Sequence, residues 1–124
     1  MDKKDKYRYL WLRVSYAVIR GEYIQKLGIK AFAIFIVIRT YMNQEGVAFP
    51  SLSTIARFSG CSTRTVQDGI KKLVQMKWIE KRKTRSLNGK YERNRYQILQ
   101  DDLIRGTDQP SFTDHPSEKI ADGD

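Results

Sequence analysis

The sequence predicts a mainly α-helical domain completed by a small β-hairpin, and three observations carry that expectation. Between Phe49 and Trp78, two short amphipathic stretches are joined by a tight turn containing Gly60. Upstream, Ala31 to Ile38 form a run of eight apolar residues inside a longer helical stretch. Downstream, Asn88-Gly89 stands between two segments of extended character, and this dipeptide is a strong hairpin signal.

Taken in order, the chain opens with a charged segment and then residues 7–20, rich in aromatic and β-branched types. Tyr9, Trp11 and Arg13 alternate with Leu10, Leu12 and Val14, which predicts a short strand through Val14. Ser15 can cap a helical turn running to Ile19. Residues 1–26 are therefore expected to be a strand-and-helix extension. Leu27 to Met42 is the next helix. Its apolar run is far short of the roughly 20 residues that cross a bilayer, and Lys30 and Arg39 flank it. A helix apolar on all sides needs cover on more than one side. Ile34, Val37, Ile38 and Tyr41 can face the two-helix unit; Phe32, Phe35 and Ile36 then need cover from the N-terminal segment or from a second copy of the chain, so a homodimer is one expected partner.

Asn43 to Gly46 reads as a turn and Val47 to Phe49 as a short extended lead-in. Ser51 caps a helix beginning at Leu52, with Leu52, Ile55 and Ala56 on the buried face. Ala56 is small enough to let a second helix cross close by. Gly60 suits the left-handed backbone that ends this helix, Cys61 is the apolar residue of the turn, and Ser62 caps the second helix. Val66, Ile70, Leu73 and Val74 form its buried face. At about 100° per residue, Arg64, Asp68, Lys71 and Gln75 point away from the core, flanked by Gln67 and Lys72. Trp78 and Ile79 start a strand, the turn follows, and the return strand runs from Lys90 to Leu99. Tyr96 and Ile98 share the face that returns to the core beside Ile79, leaving Arg93, Arg95 and Gln97 opposite. From Gln100 onward there is no period, and residues 100–124 are expected to be a disordered acidic tail. Residues 27–99 are the expected folded domain.

Charge is distributed unevenly along the 124 residues, whose net value is +9. Residues 1–45 carry +5, residues 46–99 carry +9 from 12 basic and 3 acidic side chains, and residues 100–124 carry −5. The excess is densest around the two-helix unit and the hairpin, which suits a polyanionic partner. The hairpin tip alone holds Lys81, Arg82, Lys83, Arg85, Lys90 and Arg93. Such a ribbon repels itself unless something negative sits nearby. A helix whose first turn carries Ser62, Thr63, Arg64 and then Gln67 can enter a DNA major groove. The competing readings are an ordinary solvated helix face and a solvated basic hairpin. The tail, opposite in sign, could fold over the basic face and compete with a polyanion, although tail charge more often serves solubility.

The residues resemble a known family, the winged helix-turn-helix domains of replication initiators and primosomal organisers on plasmids, phages and conjugative elements, and related transcription regulators. The resemblance covers about residues 27–99. It rests on Phe49-Pro50-Ser51, Thr54-Ile55-Ala56, Gly60-Cys61-Ser62, Arg64-Thr65-Val66, Ile70-Lys71-Lys72-Leu73, Trp78-Ile79, and Gly89 with Asn94-Arg95-Tyr96. It implies that the helix over residues 62–75 reads DNA, with Ser62, Thr63, Arg64 and Gln67 as contacts, and that the hairpin is a wing. Two positions depart from the pattern: Trp78 stands where a glycine is usual, and Asp68 puts a carboxylate on the groove-facing side unless it pairs with Arg64 or Lys71 or accepts from a cytosine amine.

No catalytic constellation is visible, and an enzyme is not expected. His115 is the only histidine, no glycine precedes a Lys-Ser or Lys-Thr pair, and Glu22 and Glu45 are isolated. No metal, cofactor or small-molecule substrate is implied. Cys61 is the single cysteine, which rules out an intrachain disulfide and fits a reducing cytoplasm, and the N-terminus lacks an apolar signal core. The expected function is sequence-specific binding of double-stranded DNA, in replication initiation or transcription regulation on a mobile element. Arg64 and Gln67 would read bases, while Lys71, Lys72, Arg82, Lys83, Arg85 and Arg93 hold phosphates. The alternative is a protein-interaction or oligomerisation module built on the same fold.

Overall fold

The computed structural model describes residues 10–85, 92–100 and 102–106. The elements run β1 (Leu12–Val14), α1 (Tyr16–Arg20), α2 (Tyr23–Leu27), α3 (Ile29–Arg39), β2 (Val47–Ala48), α4 (Leu52–Ser59), α5 (Thr63–Gln75), β3 (Ile79–Arg85), β4 (Glu92–Ile98) and β5 (Ile104–Gly106). Two antiparallel sheets accompany the five helices, one pairing β1 with β5 and one ordered β2-β4-β3.

Helix α3 is the centre of the molecule. Ala31, Ile34, Phe35, Val37 and Ile38 are all buried, with α5 and α4 packed on one side. The expected helix from Leu27 to Met42 is divided and shortened. Gly28 adopts φ +91, a conformation open to glycine, and separates α2 from α3. Much of the cover that Phe35 needs comes from Trp78, whose ring meets Phe35 edge-on at 5.0 Å and Tyr23 at 5.7 Å. Phe32 and Ile36 are partly buried against the same core, and Val18 of α1 is fully buried within it. Arg39, which flanks the apolar run, is buried, and its Nε donates to the Ile104 carbonyl at 3.4 Å.

The two caps lie where serine chemistry puts them. Ser51 Oγ accepts from the Thr54 amide, and Ser62 Oγ accepts from the Thr65 amide, both at 3.1 Å. Gly60 takes φ +73 and its amide donates to Ala56, closing α4. Of the expected buried face of α4, Ile55 is fully buried, while Leu52 and Ala56 are only partly so. On α5, Val66, Ile70 and Leu73 are buried but Val74 is 38% exposed, a correction to the expected core. The reason is Gly69. It is buried, and a Cβ there would lie 2.6 Å from Ile34 Cδ1 and 3.5 Å from the Ala31 Cα. A close helix crossing is thus made by Gly69 of α5 against α3, and the buried arc of α5 turns toward it and away from Val74.

The end of α5 resolves the anomaly at Trp78. Lys77 takes φ +63, its amide donates to Val74, and the Trp78 amide donates to Leu73 at 2.9 Å. This pair of hydrogen bonds is a Schellman closure with lysine in the left-handed position that glycine usually fills. Trp78, one residue later, drops its indole into the core.

Strands β3 and β4 pair from Ile79↔Ile98 to Arg85↔Glu92, forming the expected hairpin arms. The Asn88-Gly89 turn and Lys90 lie outside the described residues. Beside them, β2 pairs Val47 with Gln97 and Ala48 with Tyr96. The expectation of a tail without structure from Gln100 is corrected at its start. Ile104 is fully buried, β5 pairs Leu12↔Gly106 through Val14↔Ile104, and the Ser15 amide donates to Leu103. Burial of one isoleucine and pairing with β1 draw this piece into the domain. His115 and the other residues from 107 onward lie outside the described residues.

Candidate nucleic-acid interface

Helix α5 presents Thr63, Arg64, Gln67, Asp68, Lys71, Lys72 and Gln75 as exposed residues on one continuous side, opposite Val66, Gly69, Ile70 and Leu73. Core packing fixes this rotation, since the buried arc leaves only the hydrophilic arc for solvent. Arg64 Nε lies 4.0 Å from Asp68 Oδ2, one helical turn away. Their side chains are 86% and 67% exposed, so the pair orients more than it stabilises. Ser62 is exposed too, but its hydroxyl is engaged. It accepts from the Thr65 amide and donates to Thr65 Oγ1 at 3.0 Å. Of the contacts expected on this helix, Ser62 is used by the fold as its cap and Arg64 is paired with Asp68.

The hairpin springs from the C-terminal end of α5, whereas Arg64 and Gln67 sit toward its N-terminal end, on the order of 15 Å away along the axis. Strand alternation splits the expected cationic cluster between two faces. Lys81, Lys83 and Arg85 share the face that begins with Ile79, Tyr96 and Ile98 in the core. Arg82, Arg93 and Arg95 lie on the other face. Each face of the described strands thus holds three cations and one carboxylate, Glu92 on the first and Glu80 on the second. Glu92 sits 3.9 Å from Lys83 and 3.8 Å from Arg85.

The second face holds a residue that charge counting alone did not single out. Arg95 stands directly across from Arg82 in the ladder, a like-charge pairing that is unfavourable without an anion. Its position was legible in the period-2 pattern, but its partner was set by the register. Arg93 is fixed by stacking on Phe49, with the guanidinium carbon 4.3 Å from the ring centroid. Lys72 and Lys71 extend the basic surface along α5.

Against this geometry, residues 25–79 match the family model described as "Helix-turn-helix domain". Over these residues the fold is a helix-turn-helix. The match spans α3, α4 and α5 and stops at the first residue of β3, so the wing is defined by the β3–β4 pairing and not by the match. No curated protein and no solved structure gives a match. The helix-turn-helix unit with a three-stranded antiparallel sheet at its end makes this a winged helix-turn-helix fold. No described helix is long and apolar enough to cross a membrane.

Proposed function

We propose that the protein is a sequence-specific double-stranded DNA-binding protein. The observation that carries this reading is the exposed flank of α5. Arg64, Gln67, Lys71 and Lys72 stand together on a helix whose opposite side is locked into the core, within a helix-turn-helix match. Arg64 suits bidentate contact with guanine, and Gln67 suits adenine. Thr63, Lys71 and Lys72 serve the flanking backbone. Ser62 contributes through its cap, which holds the first turn in place. On the wing, Arg82, Lys83, Arg85, Lys90 and Arg93 hold phosphates, with Arg95 joining them. Replication initiation or transcription regulation on a plasmid or other mobile element is the setting that the family resemblance supports, in a cytoplasmic protein without enzymatic activity.

The test is selection of bound sites from random duplexes, followed by titration across salt concentrations. Arg64→Ala is expected to lose preference at one position of the site by about 1–3 kcal/mol. Arg82→Ala is expected to weaken all sequences alike and lower the salt slope by roughly 1. Binding that ignores both salt and these substitutions would overturn the assignment.

A second reading is supported by exposed apolar side chains on the N-terminal segment, where Trp11, Val14, Tyr16 and Ile19 are each more than two-fifths exposed. They suit a protein contact, including a homodimer that doubles the DNA footprint. A symmetric repeat among the selected sites would support the dimer; a lone asymmetric site bound by a monomer would not.

A further inference from the structure

Asp68 is the one carboxylate on α5, and nothing in the fold requires it. It is not a cap, since Ser62 fills that role. It lies mid-helix, where the helix dipole gives a carboxylate no advantage. Its pairing with Arg64, at 4.0 Å between largely solvated groups, contributes little to stability. The other two acidic residues among positions 46–99 sit on the wing, Glu92 beside two cations and Glu80 across from Gln97. Among the acidic residues of the described chain, only Asp68 stands among the exposed Arg64, Gln67, Lys71 and Lys72. A carboxylate there repels phosphate and lowers affinity for every duplex. Its chemistry is favourable only against a hydrogen-bond donor on a base edge. In the major groove cytosine and adenine each offer an amino group, but adenine sets its N7 acceptor beside it, and guanine and thymine present acceptors that repel the carboxylate, so cytosine suits it best.

Resting on the reading of α5 as a DNA-reading helix, we propose that Asp68 is a specificity-determining residue whose carboxylate accepts from the N4 amine of a cytosine, beside the base read by Arg64. The two side chains are four residues apart, about 6 Å along the helix axis, and lie near each other around it. That separation lets them address neighbouring base pairs. Asp68 thus trades general affinity for rejection of wrong sequences, as repulsive elements do in other specific interfaces.

The experiment is site selection from random duplexes with the full chain and with Asp68→Asn and Asp68→Ala, the affinities then being measured on the winners and on single-base variants. Because Asp68 is exposed, both variants should keep the thermal midpoint of the parent, which checks folding independently. The parent is expected to prefer cytosine at one position by about tenfold or more. Asp68→Asn should move that position toward adenine, since an amide both accepts from N6 and donates to N7. Asp68→Ala should lose preference there, keep the other positions, and bind unrelated duplexes more tightly. If both variants select the parent's site and merely tighten all sequences alike, the proposal is overturned while DNA reading by α5 stands. If the parent binds no duplex at low salt, both fall together.

Discussion

Lys77 holds a left-handed backbone at φ +63 at the end of α5, where a side chain costs about 1 kcal/mol or more relative to glycine. Glycine is also more disordered in the unfolded chain, which returns part of that gain. Lys77→Gly is therefore expected to stabilise by about 0.5–1 kcal/mol in denaturant melts, while Lys77→Ala, which keeps the strain, should not. Tyr96 is a second residue whose surroundings set its behaviour. Burial raises its phenol to about 12, partly countered by the Asn94 Nδ2 that donates to its oxygen at 3.0 Å. The unfolded chain ionises near 10, so both states keep the proton below that pH. Between pH 10 and 12 the unfolded state alone releases it, and stability falls as pH rises, by the order of 2–3 kcal/mol. Tyr96→Phe should flatten the fall of stability across this window; an unchanged slope would show that the phenol is not held protonated.

At the scale of elements, the contact between α5 and α3 decides which side of α5 faces outward. Gly69 lies against Ala31 and Ile34, and its missing side chain lets the helices close. Alanine at this position gains up to about 1 kcal/mol of helix propensity but must displace Ile34 Cδ1, which is fully buried. The two effects nearly cancel, so Gly69→Ala is expected to lie within about 1 kcal/mol of the parent. Gly69→Leu cannot be absorbed and should cost about 2 kcal/mol or more, rotating or loosening α5 and so weakening DNA binding as well. Equal stability of the leucine variant would show that the crossing is not close. Val74 looks like core by its spacing. It lost its place because the buried arc is drawn toward Gly69 at its far edge, a residue with no hydrophobic signal to read.

At the scale of the whole molecule, closure depends on pairing the two ends of the described chain. Leu12 pairs with Gly106, Ile104 is fully buried, and Arg39 reaches the Ile104 carbonyl from α3. Ile104→Ala is expected to cost about 2–4 kcal/mol in chemical denaturation, the usual range for a buried branched side chain. A disordered segment would show no change. Any boundary drawn at residue 99 removes half of this sheet and strips Leu12 of its partner Gly106. The strong positive charge of residues 46–99 acts at the same scale, through steering and salt dependence, and not through any single pair.

What the sequence by itself determined were features encoded within a few residues: Ser51 and Ser62 as caps, Gly60 as a helix stop, Val66, Ile70 and Leu73 as one buried stripe, and the phase that sends Tyr96 and Ile98 inward. Periods of 3.6 and 2 register these locally, before any tertiary contact forms. Tertiary structure alone decided the pairing of β1 with β5, the burial of Arg39, the placing of Arg82 across from Arg95, and the turn of α5 toward Gly69. The three residues of β5 are too few to show a period, and partners separated by most of the chain leave no local trace. Their positions follow from which surfaces must be covered once α3, apolar on every side, lies at the centre.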